Sequence, residues 1–185
     1  VLEQPIEAKA GSLTALVGPS GGGKSTILHA LAGFVSPTQG AVSIAPHRSA
    51  PELARTLAWV PQWSSSTVIA TSVLDDVLVT TRALGEESPQ SLARARALLA
   101  AVGLTDLEQA DPRTLSSGEQ RRLALAAALH HGPPTLLVDE PTIGQDRHTW
   151  AALVGLVAAY RGLGGAVVAA THDRHVIDRA TTVIA

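Results

Sequence analysis

The residues with the clearest chemical potential form a glycine-rich segment that contains a lysine. Positions 18–26 match the pattern G-x-x-x-x-G-K-[ST] and lie between an apolar run and a run of helix-forming residues. Glycines let consecutive backbone N–H groups turn toward one compact anion, and a helix beginning near Lys24 adds the positive end of its dipole. We expect Lys24 to reach the β- and γ-phosphates of a nucleotide and the Ser25 hydroxyl to ligate Mg²⁺. The predicted phosphate cradle comprises Gly18, Pro19, Ser20, Gly21, Gly22, Gly23, Lys24, Ser25 and Thr26.

The same segment has a simpler interpretation, as a glycine-rich turn that only joins a strand to a helix. Such a turn requires neither a lysine nor this spacing, so we favour the phosphate site. The cradle alone does not distinguish a kinase from a GTPase or a motor ATPase.

Two adjacent carboxylates follow an uninterrupted apolar run near position 140. Leu136, Leu137 and Val138 predict a buried strand that ends at Asp139 and Glu140, at the sheet edge where ligands of α/β proteins bind. Asp139 is suited to hold Mg²⁺ through water, and Glu140 is suited to polarise an attacking water as a general base. Taken alone, the pair also fits helix-capping acids or solvated acids at the start of a loop, but less well than it fits the catalytic roles. Its combination with the lysine loop favours the catalytic interpretation.

Short apolar runs alternate with helix-forming segments, which predicts the elements that position these groups. Continuous apolar strands alternating with helices are typical of a parallel sheet covered on both faces. The predicted fold class is therefore α/β, with a helical insertion between the second and third groups of strands. The predicted strands cover 13–17, 42–44, 57–60, 135–138 and 165–170, with a polar connection over 46–51. Helices are predicted over 26–32, 73–103 with Ser72 as N-cap, 116–131 and 150–160.

Composition narrows the class of protein. The chain has 185 residues, of which 45% are hydrophobic, and a formal net charge of -2. This length supports one substantial core, and the charge provides no broad basic surface for a nucleic-acid backbone. The absence of cysteine excludes disulfides and thiolate metal sites. No apolar run approaches the roughly 18 residues that span a bilayer, so we expect one soluble, intracellular domain with no nucleic-acid partner.

The sequence also predicts that this chain is part of a longer polypeptide. It contains no methionine, even at position 1, and its last four residues resemble a strand interrupted midway. We therefore expect further structure beyond both ends.

Residues 115–120 have the sequence LSSGEQ and resemble the LSGGQ signature of ABC ATPases, a motif that other phosphate-loop enzymes lack. Ser117 replaces the first glycine of the usual pair, and glutamate followed by glutamine is a variant common in the family. Ser116 and Gly118 stand at the start of a helix whose free N–H groups form a second anion site. The resemblance implies that two such domains pack head to tail, each signature closing over the ATP bound by the other. The alternative is an ordinary surface helix capped by serine.

Three further motifs follow the order expected for this family. Gln62, after Val60 and Pro61, resembles the Q-loop glutamine that approaches Mg²⁺ and couples the site to a transport partner. His172 resembles the switch histidine that hydrogen-bonds the γ-phosphate. Asp146 closes the D-loop segment and is expected to lie across the dimer interface. Residues 144–146 read GQD, similar to the ATPases of energy-coupling-factor (ECF) importers, which take up vitamins and transition-metal ions.

The resemblance implies a set of roles and a division of the chain. ATP and Mg²⁺ are the expected cofactors, the catalytic residues are Glu140, His172 and Gln62, and the metal ligands are Ser25, Gln62 and Asp139. Ser116, Gly118 and Asp146 complete the nucleotide site. A P-loop NTPase core is expected over 1–62 and 119–185, with a helical subdomain over 63–118. The aromatic residue that stacks on adenine is expected before the first residue of the chain.

The implied partners are a second ABC ATPase domain, identical or fused, and a transmembrane or coupling subunit that contacts residues 62–84. The implied location is the cytoplasm, at the inner face of the cell membrane. A soluble ABC protein of translation or DNA repair is the first alternative, but its usual basic extensions or coiled coils are not visible here. A kinase would leave the signature, Gln62 and His172 unexplained. A regulatory module without turnover does not require Lys24, Asp139 and Glu140 to be intact.

Overall fold

The regular structure of the chain alternates strands and helices, and the computed structural model describes residues 5–43, 49–142 and 146–185. The strands are β1 (Leu13–Leu16), β2 (Leu57–Val60), β3 (Thr135–Asp139), β4 (Ala166–Ala170) and β5 (Thr182–Ile184). The α-helices are α1 (Lys24–Leu31), α2 (Ala50–Ala54), α3 (Val73–Ala83), α4 (Pro89–Ala101), α5 (Ser117–His130), α6 (Arg147–Gly162) and α7 (Arg174–Ile177). Short 3₁₀ turns cover Ser64–Thr67, Thr105–Leu107 and Pro112–Thr114.

The five strands of the described ranges run parallel in one sheet, in the order β2-β3-β4-β1-β5. The central strand β4 pairs with β1 on one side and with β3 on the other. Every residue of β4 is buried, as expected for a strand covered on both faces. The parallel α/β sheet predicted from the apolar runs is therefore confirmed.

Helices cover the two faces of this sheet, and successive strand side chains alternate between them. Val138 of β3 packs in the same cluster as Leu125 of α5, on the face covered by α5 and α6. Leu137, one residue earlier, packs with Leu28 of α1 on the opposite face. Burying a leucine of this kind stabilises the fold by about 1.5–3 kcal/mol. The sheet therefore lies between α1 on one face and the layer of α5 and α6 on the other.

A separate apolar cluster joins α3, α4 and α5. Leu78, Leu99 and Leu123 are buried at its centre, one from each helix. The helix α5 also supplies Leu125 and Ala128 to the cluster on the sheet. Because α5 is apolar on two sides, it is the element that attaches the helical region to the sheet.

The segment predicted as one helical stretch over 73–103 contains two helices rather than one. Between them lies Gly85 with φ of 71°, a left-handed conformation that commonly ends a helix at glycine. The hydroxyl of Ser88 then accepts a hydrogen bond from the Ser91 N–H at 3.1 Å, and proline follows as the first residue of α4. These two local signals divide the stretch.

Other predicted boundaries have mixed outcomes. Ser72 is confirmed as the N-cap of α3, because its hydroxyl accepts a hydrogen bond from the Asp75 N–H at 3.1 Å. The strand predicted over 42–44 is wrong at Val42 and Ser43, which have no strand partner among the described residues, and position 44 lies outside those residues. The connection predicted over 46–51 ends inside α2, where Ser49 forms a capping box. Its positions 46–48 lie outside the described residues.

The side chain of His130, at the end of α5, is fully buried and joins three helices. Its Nε2 lies 2.8 Å from the Ser91 carbonyl of α4, and its Nδ1 lies 2.9 Å from the Thr81 hydroxyl of α3. A carbonyl can only accept, so Nε2 carries the proton and Nδ1 accepts from Thr81. Burial lowers the pKa of His130, and the bond to the Ser91 carbonyl opposes this only in part. The native helical region therefore holds a neutral imidazole.

Acid is expected to destabilise the fold through His130. In the unfolded chain, the His130 imidazole takes up a proton near the ordinary histidine pKa of about 6.5, whereas in the folded chain it does so only at lower pH. The free energy of unfolding therefore has its full value above that pH and decreases as the pH falls below it. The His130→Gln variant should lose part of this dependence, up to about 1.4 kcal/mol per pH unit. Urea unfolding measured at neutral pH and at mildly acidic pH tests the expectation.

The control for that experiment is His29→Gln, which changes a half-buried histidine of α1 on the other side of the sheet. Some pH dependence should remain in the His130 variant, because burial also lowers the pKa of the neighbouring His131. An unchanged pH slope in His130→Gln would show that His130 is not the source.

Candidate functional site

The segments that carry the phosphate loop, the acidic pair and His172 follow the carboxyl ends of β1, β3 and β4, and these three strands end at the same level. Ala170, the last residue of β4, lies opposite Leu16 of β1 and Asp139 of β3. All these strands are parallel, so the segments that follow them emerge side by side. The phosphate loop, the acidic pair and the histidine loop are thereby brought together. Gln62 follows the neighbouring strand β2 and is half-buried.

The phosphate loop follows β1 and leads directly into α1. Its last glycine, Gly23, is the N-cap of α1 with φ of 86°, a left-handed conformation that glycine adopts without strain. A side chain at Gly22 would approach the Pro19 carbonyl oxygen to 3.0 Å. The Lys24 ammonium donates hydrogen bonds to the carbonyls of Gly18 and Pro19, each at 3.0 Å. The loop therefore wraps around Lys24, the cation that is predicted to bind the phosphates.

Exposure along this loop fits an anion site open to solvent. Residues 18–22 are exposed, which includes Ser20 and Gly21, while Lys24 and Ser25 are half-buried at the start of α1. Thr26, the next residue, is exposed. A compact anion can therefore reach the backbone of the loop without displacing another part of the described chain.

Glu140 and His172 face each other across the sheet edge. The Glu140 Oε2 lies 2.9 Å from the His172 Nδ1, at ion-pair distance but without hydrogen-bond geometry. The Glu140 side chain is 13% exposed, whereas that of His172 is 64% exposed. A buried carboxylate oxygen without a hydrogen-bond partner in the described residues is placed to accept one from a bound water. The pair therefore combines a sheltered proton acceptor with an imidazole open to solvent.

The backbone of Glu140 is itself unusual. Its φ is 45°, the one positive φ among the non-glycine residues that the structure describes. Its N–H donates to the Ala170 carbonyl at 2.8 Å, which holds the turn after β3 against the end of β4. A left-handed conformation is unfavourable for a residue with a side chain, and such strain is often found at functional sites.

Arg121 connects the signature helix to the Q-loop, a role that is not predicted by the sequence motifs. Its guanidinium donates to the Pro61 carbonyl at 3.0 Å and to the Gln62 carbonyl. The residue is 5% exposed. Burial lowers its pKa, while the negative charges of Asp139 and Glu140 act in the opposite direction. A buried cation therefore fixes the Q-loop backbone beside the acidic pair.

A pattern in the sequence could have identified Arg121. It precedes Leu125 by four residues and Ala128 by seven, so all three lie on one face of α5. That face packs on the sheet, since Leu125 and Ala128 belong to its apolar cluster. A charged residue at the spacing of a buried stripe usually has specific polar partners. This signal indicates burial but does not identify the partners.

The signature residues stand at an accessible helix start. Ser116 is the N-cap of α5 and is exposed, and Gly118 is half-buried. In the described chain no hydrogen bond occupies the N–H groups of Ser117 and Gly118. The Ser116 N–H and hydroxyl both donate to the Glu119 carboxylate, at 2.8 and 2.7 Å. This exposure leaves the helix start reachable from another molecule.

Asp146 lies at the start of α6 and is tied to the signature helix. Its carboxylate accepts hydrogen bonds from the Thr149 N–H at 2.8 Å and from the Thr149 hydroxyl at 3.2 Å. Arg122 of α5 donates to the same hydroxyl at 2.7 Å. Residues 144 and 145, the rest of the GQD triplet, lie outside the described residues.

The left-handed backbone of Glu140 predicts that a glycine variant is more stable than an alanine variant at this position, which is the reverse of the usual order. Glu140→Gly should unfold with a free energy about 1 kcal/mol higher than Glu140→Ala, because glycine removes the conformational strain that alanine keeps. Urea unfolding of both variants measures the difference. Asp139, an ordinary strand residue, is the control: Asp139→Ala should be more stable than Asp139→Gly. If the alanine variant were the more stable one at both positions, the backbone of Glu140 would not be strained.

Known proteins resemble this chain over most of its length. The family model described as "ABC transporter" matches residues 5–143. A putative ABC transporter ATP-binding protein of Streptomyces avermitilis is 39% identical over 172 residues, which cover 91% of this chain and 30% of that protein. The energy-coupling factor transporter ATP-binding protein EcfA2 of Streptococcus sanguinis is 34% identical over 176 residues, covering 90% of this chain and 63% of that protein.

Solved structures show the same fold. The dimeric post-hydrolysis structure of the ATP-binding cassette MJ0796, bound to ADP and Pi, matches with a TM-score of 0.84 at 28% identity, covering 96% of this chain and 82% of that one. The chain spans less than two thirds of either protein relative named above. Because the family match takes in the phosphate loop, the signature and the acidic pair at the sheet edge, the chain belongs to the ABC transporter family of ATP-binding proteins.

Proposed function

We propose that this chain binds MgATP and hydrolyses it to drive transport, as one half of a head-to-tail pair of ABC ATPase domains. The observation that carries the proposal is the contact between Glu140 and His172 at the edge where the phosphate loop leaves the sheet. A sheltered carboxylate beside an exposed imidazole suits water activation next to a γ-phosphate. The fold match to a cassette bound to ADP and Pi supports the same chemistry.

The residues proposed for Mg²⁺ fit its preference for oxygen ligands. Ser25 offers a hydroxyl, Gln62 an amide oxygen and Asp139 a carboxylate, and all three follow or end strands of the same sheet edge. Among the described residues, no cluster of three or more His, Cys, Asp or Glu side chains forms a metal cage. The side chains of Ser25, Gln62 and Asp139 would hold Mg²⁺, which would neutralise charge on the phosphates.

We assign the following roles to the chain's own residues in this mechanism. Glu140 accepts a proton from the attacking water, and His172 donates a hydrogen bond to the γ-phosphate from its exposed position. Lys24 moves from the loop carbonyls to the β- and γ-phosphates. Ser116 and Gly118 present the start of α5 to the ATP of the second domain, and Asp146 lies at the interface.

The proposed division of the chain has a core over 1–62 and 119–185 and a helical subdomain over 63–118. The separate apolar cluster of α3, α4 and α5 supports it, although α5 contributes to both regions. The proposed partner subunit contacts residues 62–84. Trp63 and Ile69, which are 73% and 69% exposed, provide apolar surface there.

The proposed location is the cytoplasm, at the inner face of the membrane through that subunit. No helix of the described ranges is long and apolar enough to cross a bilayer. Within transporters, the ECF importers are the proposed type. The GQD triplet and the likeness to an energy-coupling factor ATP-binding protein support this assignment.

The proposal predicts that Glu140→Gln separates binding from turnover. The amide keeps the shape of the side chain but cannot accept the proton, so ATP turnover should fall at least about a hundredfold while ATP binding persists. With MgATP, this variant should accumulate as a dimer in size-exclusion chromatography. Turnover at the rate of the unmodified chain would disprove the role of Glu140.

A second substitution tests the head-to-tail contact. Gly118→Asp in the Glu140→Gln background places a negative charge at the proposed phosphate contact and should abolish the ATP-dependent dimer. Ala100→Asp, on the exposed side of α4, adds the same charge elsewhere and should leave the dimer intact. A dimer that survives Gly118→Asp would exclude the signature from the interface.

A further inference from the structure

Asp173, the residue after the switch histidine, is a junction of hydrogen bonds from three segments. Its carboxylate accepts from the Trp150 indole N–H at 2.8 Å and from the His175 N–H at 2.8 Å. The Thr142 side chain, which follows the acidic pair, also bonds to it. Burial raises the pKa of Asp173, but these three bonds outweigh burial and hold it below its usual value. The carboxylate therefore stays charged.

Hydrogen bonds hold the residues on either side of His172. Thr171 is fully buried, and its N–H donates to the Leu16 carbonyl at 3.1 Å. Its hydroxyl accepts from the Asp173 N–H at 3.1 Å. The His172 side chain is largely exposed and has one polar contact in the described chain, with Glu140. Its position therefore depends on how residues 171 and 173 are held.

Trp150 is the side chain that holds Asp173 from another helix. It lies in the first turn of α6, next to Thr149, which bonds to Asp146. Its ring meets the His175 ring edge-on at 5.8 Å between centroids, and the Arg179 guanidinium lies 6.0 Å from its centroid. These two ring contacts and the hydrogen bond to the charged Asp173 carboxylate together fix the orientation of the indole.

We propose that Trp150 is a positioning residue for His172: its hydrogen bond to Asp173 keeps the switch imidazole against Glu140 and links it to the start of α6. This role rests on the proposed function, because it concerns the histidine that serves the γ-phosphate. Asp146 caps the same helix end. A shift of that end, where the second domain is proposed to dock, moves Asp173 and with it His172.

The test compares Trp150→Phe with Tyr160→Phe, both on α6. The first removes the indole N–H and keeps an aromatic ring. The second removes one hydrogen bond of similar length, from the Tyr160 hydroxyl to the Pro133 carbonyl at 2.8 Å, away from the switch loop. We expect roughly tenfold lower kcat for Trp150→Phe, with KM for ATP within about twofold, and near-unchanged kcat for Tyr160→Phe.

A double variant separates positioning from a general loss of stability. In the His172→Ala background, Trp150→Phe should cause no further fall in kcat, because the group that it positions is already absent. An equal fall in both backgrounds, or an unchanged kcat in Trp150→Phe alone, overturns the proposal.

NMR of histidine-labelled, nucleotide-free protein gives a readout that does not require turnover. The His172 signals, assigned with His172→Ala, should shift in Trp150→Phe and stay in place in Tyr160→Phe. Unchanged His172 signals in Trp150→Phe overturn the positioning role even if the chain hydrolyses ATP. Absence of ATPase activity in the unmodified chain instead contradicts the proposed function, and the NMR comparison still decides the positioning role. If Trp150→Phe does not fold, Asp173→Asn, which weakens the same bond, is measured in its place with the same expected shift.

Discussion

Parallel pairing of β4 with β1 and β3 is the constraint on which the site depends. Ala170 faces Leu16 and Asp139 in register, so three chain segments leave the sheet at one level. A shift of β3 by one residue would exchange the faces of Leu137 and Val138, so each would lose its packing partners in the covering helices. The registry that buries the core is thus the same one that aligns the acidic pair with the phosphate loop. Stability and site geometry cannot be varied independently here.

The helix α5 transmits this alignment to the rest of the chain. Its successive arginines reach in different directions, Arg121 to the carbonyls of the Q-loop and Arg122 to Thr149 at the start of α6. Both arginines are buried, and these hydrogen bonds compensate part of the hydration that their guanidinium groups lose, although the buried Arg122 Nε has no hydrogen-bond partner in the described residues. Two neighbouring side chains of α5 therefore connect this helix to the Q-loop and to the start of α6.

Local sequence patterns predicted most of the elements, because apolar runs and caps act over a few residues. The strands near 13–17 and 57–60 and the caps at Ser72 and Ser116 follow from such patterns. The break around Gly85 was missed, since apolar spacing continues on both sides of it. Burial patterns alone predict neither the left-handed backbone of Glu140 nor the absence of strand pairing at Val42 among the described residues, because both depend on the surrounding structure.

The site was predicted less completely, because its support comes from contacts between distant positions. Arg121 bonds to carbonyls 59 and 60 residues earlier, and Trp150 to a carboxylate 23 residues later. The residue types were visible in the sequence, but a lone arginine or tryptophan in a helix does not reveal its acceptor. Motif spacing therefore located the groups that would act on a ligand, whereas the groups that hold them in place required the fold.

The charge of Glu119 affects which anions can bind at the start of α5. Its carboxylate accepts from the Ser116 N–H and hydroxyl, and these bonds lower its pKa, so it is ionised at neutral pH. A stray anion approaching α5 meets a negative charge of the same chain beside the Ser117 and Gly118 N–H groups. Dissolved phosphate or sulfate is therefore disfavoured there. An anion that arrives with a bound cation carries less net negative charge, so Glu119 repels it less.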